Sequence, residues 1–197
     1  MSRIRSDKFS EEYRKYIISI KFNKVKHYTL WWTSMQDDND YILVSDLNQI
    51  LYGSSIVALK NYLKDNIKRL PDSENLNLWL EKHSYIRSYT TYDFDLILTL
   101  LKKQNFSLAN CTKPEICDLL DFRNLFSDYV IQINSQKYLK ILDNKVQHIF
   151  FDFACAHCLW SNDFENRILL NDFNNVKFKK EFLGNIDFFS DNLVQVK

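Results

Sequence analysis

Two glycines, Gly53 and Gly184, are all that 197 residues contain, and this scarcity limits what the chain can build. Average usage is about 7%. The phosphate-cradling loops of P-loop and dinucleotide folds need several glycines within a few positions, so that the backbone can turn sharply and approach the phosphates. Here the two stand alone and far apart, which excludes those folds. A many-turned β-sandwich or propeller is disfavoured on the same ground, because its tight turns call for glycine.

What remains is a globular chain with a well-filled core. Hydrophobic residues make up 46% and charged residues 26%, so wholesale disorder is not expected. Aromatic residues reach 15%, enough for a large packed interior or an adhesive surface. The length suits a single domain spanning residues 1–197. No apolar run approaches the ~18 residues of a membrane span, and the polar start does not read as a signal peptide. The expectation is a soluble, cytoplasmic protein. Its four cysteines are too few for a disulfide scaffold, so free thiols are expected.

The net charge of +1 hides an asymmetry: residues 1–30 carry a local +5, and the rest of the chain carries −4. The basic residues are Arg3, Arg5, Lys8, Arg14, Lys15, Lys21, Lys24 and Lys26. Such a stretch is able to lie along nucleic acid, although a solvated leading helix is the simpler reading.

Residues 1–25 read as a basic N-terminal helix or extension, with a short helix from Glu11 to Ile18 behind Ser10. Residues 26–70 read as a β-β-β-α unit. Its strands are His27–Thr33, Tyr41–Val44 and Gln49–Tyr52, joined as an antiparallel meander. Its helix starts after Ser54 or Ser55 and stops before Pro71. Residues 71–197 read as mainly helical: a short helix over Leu76–Leu80, one opened by Asp93 or Thr91, one opened by Thr112 with Pro114 in its first turn, and one over Asp143–Leu159. A further helix is expected near Lys177–Leu183, followed by a turn at Gly184-Asn185 and a strand or extended segment at Ile186–Phe189. The fold class is therefore α+β, a small antiparallel meander followed by a helix, with the helical half packed on the sheet.

Few residues invite chemistry. Cys155-Ala-His-Cys158 has the spacing of half a zinc site, with Cys111 and Cys117 or His148 and His157 as further ligands. The pair sits in the largely apolar run Ile149–Trp160, where small buried side chains are the plainer account. None of the four histidines, His27, His83, His148 and His157, stands in a nucleophile-elbow pattern. Asp37-Asp38-Asn39-Asp40 is the densest acidic cluster, but it lacks the mid-loop glycine and closing Glu of an EF-hand and reads as a hairpin tip. No catalytic residue, cofactor or metal is assigned, and the chain is expected not to be an enzyme.

The segments His27-Tyr-Thr-Leu-Trp-Trp-Thr33, Tyr41–Val44 and Ile50-Leu-Tyr-Gly-Ser-Ser-Ile56, with Thr91–Asp95 and Cys117–Asp128, resemble bacterial immunity proteins of the contact-dependent growth inhibition type. Arg123 stands where that group tends to carry Trp. The resemblance implies an antitoxin that binds one cognate toxin C-terminal domain in a 1:1 complex and blocks its active site or substrate surface. Nuclease toxins are commonly basic, because their substrates are polyanions, so exposed carboxylates would favour such a partner. No contact residue follows from the resemblance. From composition and expected exposure, the partner-binding candidates are Asp37, Asp38, Asp40, Trp160, Asp163 and Glu165. The alternative is a nucleic-acid-associated accessory protein using the basic N-terminal stretch.

Overall fold

A computed structural model of the chain describes residues 8–82, 87–160, 170 and 172–196. It has the expected α+β character and forms two compact units, Met1–Tyr92 with Asp191–Lys197, and Asp93–Ser190.

The first unit opens with α1 (Lys8–Tyr13), which Arg14 ends at a φ of 53°. The chain then enters β1 (Lys15–Phe22), where the sequence reading continued the helix to Ile18. That expectation is corrected by the run Tyr16-Ile17-Ile18-Ser19-Ile20, whose branched side chains favour a pleated surface. β1 is a sheet strand, fully paired along its length with β2 (Val25–Thr33) in an antiparallel hairpin. Its two-residue loop, Asn23-Lys24, takes positive φ at both positions, which matches the strand twist. β3 (Asp40–Ile42) flanks β2, and β5 (Thr91–Asp93) flanks β1, giving the order β3-β2-β1-β5.

The third strand of the expected meander, β4 (Ile50–Tyr52), lies outside this sheet. It pairs in parallel with β6 (Leu193–Gln195) and meets the meander through isolated bridges, Tyr28 with Gly53 and Val44 with Ile50, and through the Thr29 hydroxyl, which donates to the Leu51 carbonyl. β6 supplies a partner that no local pattern announces. After β4, Ser55 caps α2 (Ile56–Asn66) by accepting the Ala58 N–H, and α3 (Ser73–Lys82) follows Pro71. Leu30, Trp32, Leu59, Leu63 and Trp79 are buried together in one apolar cluster. Burial of this kind is worth about 1.5–3 kcal/mol per large side chain.

Turns here do without glycine. Among the described residues, no glycine has positive φ, whereas Asn23, Asp38, Asn48, Asp72 and Asn134 do, with Arg14 and Lys24. Short Asn and Asp side chains tolerate the left-handed region best after glycine, so the scarcity that limits the loops is met by substitution.

The second unit is helical: α4 (Phe94–Lys102), α5 (Lys113–Gln132), α6 (Gln136–Leu142), α7 (Lys145–Cys155) and α8 (Asn175–Asp191). Asp93 caps α4 through the Leu96 N–H. α6 was not expected. The helix expected over Asp143–Leu159 starts behind Asn144 and gives way after Cys155 to a π-helical turn, Ala156–Trp160. The strand expected at Ile186–Phe189 is also corrected, because α8 runs straight through Gly184, and Phe182, Ile186 and Phe189 bury one face of it. Phe122 of α5 lies at the centre, with ring centroids 5.0 Å from Phe94 and 5.4 Å from Phe182.

α5 carries a complete capping box: the Thr112 hydroxyl accepts the Glu115 N–H, and the Glu115 carboxylate accepts the Thr112 N–H at 2.8 Å. Thr112→Ala is expected to lower unfolding stability by about 1 kcal/mol. A shifted chemical denaturation midpoint checks this, and an unchanged midpoint would mean that the cap carries none of α5's stability.

Candidate functional site: the acidic tip between β2 and β3

The loop joining β2 to β3 turns on its own side chains. Ser34 N–H donates to the Asn39 carbonyl and Asp38 N–H donates to the Ser34 carbonyl, which closes the turn, with Asp38 at a φ of 59°. Asp37 accepts the Asn39 N–H at 3.1 Å and the Tyr41 hydroxyl at 2.7 Å. Asp38 pairs with Arg14 at 2.6 Å, and Asp40 accepts the Thr33 hydroxyl at 2.6 Å. Three carboxylates are therefore held in fixed positions while remaining exposed, the Asp38 side chain to 83%. Met35, half exposed, stands beside them as an apolar side chain on the same loop.

The Asp37 charge is insensitive to ordinary pH. The bonds from the Tyr41 hydroxyl and the Asn39 N–H hold the Asp37 carboxyl down at about 2, since hydrogen bonds to the charged form favour it. The same bond pushes the Tyr41 hydroxyl up.

Beneath the tip lies a buried ion pair. Lys15 Nζ donates to Asp72 Oδ2 at 2.5 Å, and both side chains are fully buried. Lys15 also reaches the Thr33 carbonyl, and Asp72 accepts the Met35 N–H at 3.4 Å and the Asn75 amide at 2.6 Å. Burial pulls Lys15 down more than Asp72 restores it. Burial raises Asp72, but the bonds from Lys15 and Asn75 outweigh it and leave the carboxyl below its usual range. The pair thus ties β1, the end of β2, the tip and the start of α3 to one point.

Of the six candidate residues, Asp37, Asp38 and Asp40 gather on this tip. Trp160 ends the π-helical turn, with its side chain outside the described residues, as are Asp163 and Glu165 altogether. The buried Lys15–Asp72 pair was not anticipated, and no local pattern marks it. The basic N-terminal stretch is also partly spent: Arg14 and Lys15 are bound to acids, and Arg3 and Arg5 lie outside the described residues, as does His83.

In the second unit, burial pushes the Cys155 and Cys158 thiols up. Among the described residues, no three His, Cys, Asp or Glu side chains converge as metal ligands. Burial pushes the Cys111 thiol up to about 11.

No protein-family model matches the chain. A curated protein does: the dual specificity protein phosphatase YVH1 of Plasmodium falciparum is 29% identical over 143 residues, 72% of this chain but only 22% of that protein. The chain thus spans about a fifth of that relative's length. This match overturns the expectation that the chain is not an enzyme, because a phosphatase stands among the proteins it resembles. No helix among the described residues is long and apolar enough to cross a membrane. Among solved structures, the C-terminal domain of SatS, determined in complex with bromine, superposes with a TM-score of 0.63 at 13% identity. The alignment covers 97% of this chain and 98% of that one, so the chain has the fold of the SatS C-terminal domain.

Proposed function

We propose that this chain is a binding protein that engages a basic partner through the β2–β3 tip, acting in the cytoplasm as an immunity protein that neutralises a cognate toxin domain. One observation carries the reading: Asp37, Asp38 and Asp40 are exposed, yet each is fixed by a bond within the molecule. A surface ordered before binding loses little conformational freedom when the partner arrives. Exposed charges of one sign speed encounter with the opposite sign and select against like-charged partners. Met35 adds an apolar contact beside them. A nuclease toxin, basic because it must hold a polyanion, has the complementary chemistry.

The test is the association rate of the purified chain with the toxin domain encoded beside it. Asp37→Lys combined with Asp38→Lys is expected to slow association by roughly tenfold or more at low salt. The melting temperature should stay within a few degrees, because both side chains are on the surface. Equal rates for the two proteins would remove the tip from the interface.

The phosphatase likeness supports a second reading, hydrolysis of phosphate esters. Release of nitrophenolate from para-nitrophenyl phosphate, above a heat-denatured control, would support it. No release at any pH from 5 to 9 would count against it.

A further inference from the structure

Asn185 breaks the apolar pattern of the buried face of α8. It is 2% exposed, and its Oδ1 is buried without a hydrogen-bond partner among the described residues. An unmet polar group of this kind costs about 1–3 kcal/mol. The residue lines a hollow of about 340 Å³ between α6 and α8, with Tyr138 and Ile141 as its apolar wall. Sites for small ligands have volumes of this order. Gly184 lines the same hollow, and a Cβ there would meet nothing within 4 Å, so the glycine keeps the mouth open. Glycine inside a helix costs about 0.5–1 kcal/mol relative to alanine, and no packing in the second unit requires it here.

Three lysines, Lys137, Lys177 and Lys180, stand exposed around the opening. Glu181, the carboxylate among the lining residues, is already engaged. It accepts the Asn144 amide at 3.0 Å and the Gln147 amide at 3.2 Å, and Lys177 lies 3.7 Å away. Lys137 donates to the Tyr138 hydroxyl at 3.4 Å and stands over that ring. Lys180 has no partner among the described residues. Lys137 and Lys180 thus leave two positive charges unmatched beside an unmet acceptor.

We propose that this hollow binds a sugar phosphate, with the phosphoryl group between Lys137 and Lys180 and a sugar hydroxyl donating to the Asn185 carboxamide oxygen. A phosphate monoester carries close to two negative charges at neutral pH and offers three acceptor oxygens, which matches the two ammonium groups; a carboxylate supplies half that charge. The hydroxyl is the donor that Asn185 lacks, and the C–H face of the sugar fits the wall of Tyr138 and Ile141. The site belongs to the second unit and does not depend on the acidic tip.

Isothermal titration calorimetry of the full chain with glucose 6-phosphate, inorganic phosphate and glucose tests the site. One equivalent of glucose 6-phosphate is expected to bind, about tenfold tighter than inorganic phosphate, with no heat from glucose. Lys180→Gln should weaken that binding about tenfold. Asn185→Leu should still bind phosphate but lose the preference for the ester. Gly184→Leu should close the hollow and abolish binding, yet melt no lower than the wild type, because leucine favours the helix. No binding of glucose 6-phosphate to the wild type, equal affinity for glucose 6-phosphate and phosphate, or unchanged binding in Gly184→Leu would each overturn the assignment. The wild-type titration is decisive even if a variant fails to fold.

Discussion

Lys15→Met is expected to destabilise the first unit by about 3–5 kcal/mol, the usual cost of leaving one member of a buried ion pair alone. Methionine fills the lysine's volume, so the loss is electrostatic: the fully buried Asp72 keeps only the Asn75 amide and the distant Met35 N–H. Adding Asp72→Asn should recover most of the loss, because asparagine is neutral, its amide oxygen still accepts the Asn75 amide, and it tolerates the φ of 55° at this position. The pair also sets an acid limit. Asp72 sits below its unfolded value of 3.8, so the stability it contributes is complete above that pH and is lost as the pH falls through the lowered value. In Lys15→Met, burial raises the unpaired Asp72 carboxyl instead, so this acid loss should disappear and acid should restore part of the lost stability. Urea denaturation followed by tryptophan fluorescence reads both effects, since Trp31, Trp32 and Trp79 all belong to the first unit. A single variant as stable as the wild type would mean that the pair contributes nothing.

The two glycines should respond in opposite directions. A Cβ on Gly53 would lie 2.6 Å from the Leu59 nitrogen and 2.7 Å from the Ser55 carbonyl oxygen, both backbone atoms that cannot swing aside. Gly53 also exchanges backbone bonds with Tyr28 at 2.8 and 3.0 Å, so moving it pulls α2 away from β2. Gly53→Ala is expected to cost about 3 kcal/mol or more, the upper range for overpacking. Gly184 meets nothing within 4 Å and lies inside α8. Gly184→Ala should therefore stabilise the second unit by about 0.5–1 kcal/mol, by restricting the unfolded chain. Denaturation midpoints moving the same way for both would contradict the packing described.

What the sequence made legible was local. Ser55, Asp93 and Thr112 announce their helices because a cap and its target lie within three residues. His27–Thr33 reads as a strand because its own side chains decide it. The failures are all long-range. The Ser10 cap and Glu11 predict a helix running on to Ile18, whereas Lys15, buried by Asp72 57 positions away, already belongs to β1. β4 was placed in the meander because its true partner, β6, comes at the other end of the chain. Gly184 looks like a turn, but tertiary contacts of Phe182 and Ile186 carry the helix past it. The acidic tip was visible as composition; its rigidity was not, since that depends on Arg14, Thr33 and Tyr41 meeting Asp38, Asp40 and Asp37 in space.

The most direct measurement of the binding account is the association rate constant for the neighbouring toxin domain, taken against ionic strength with the wild type and with Asp37→Lys/Asp38→Lys. The account predicts a steep fall with salt for the wild type, and a slow, nearly salt-independent rate for the double variant. Rates that coincide at every salt concentration, or no complex with that domain at all, would contradict it.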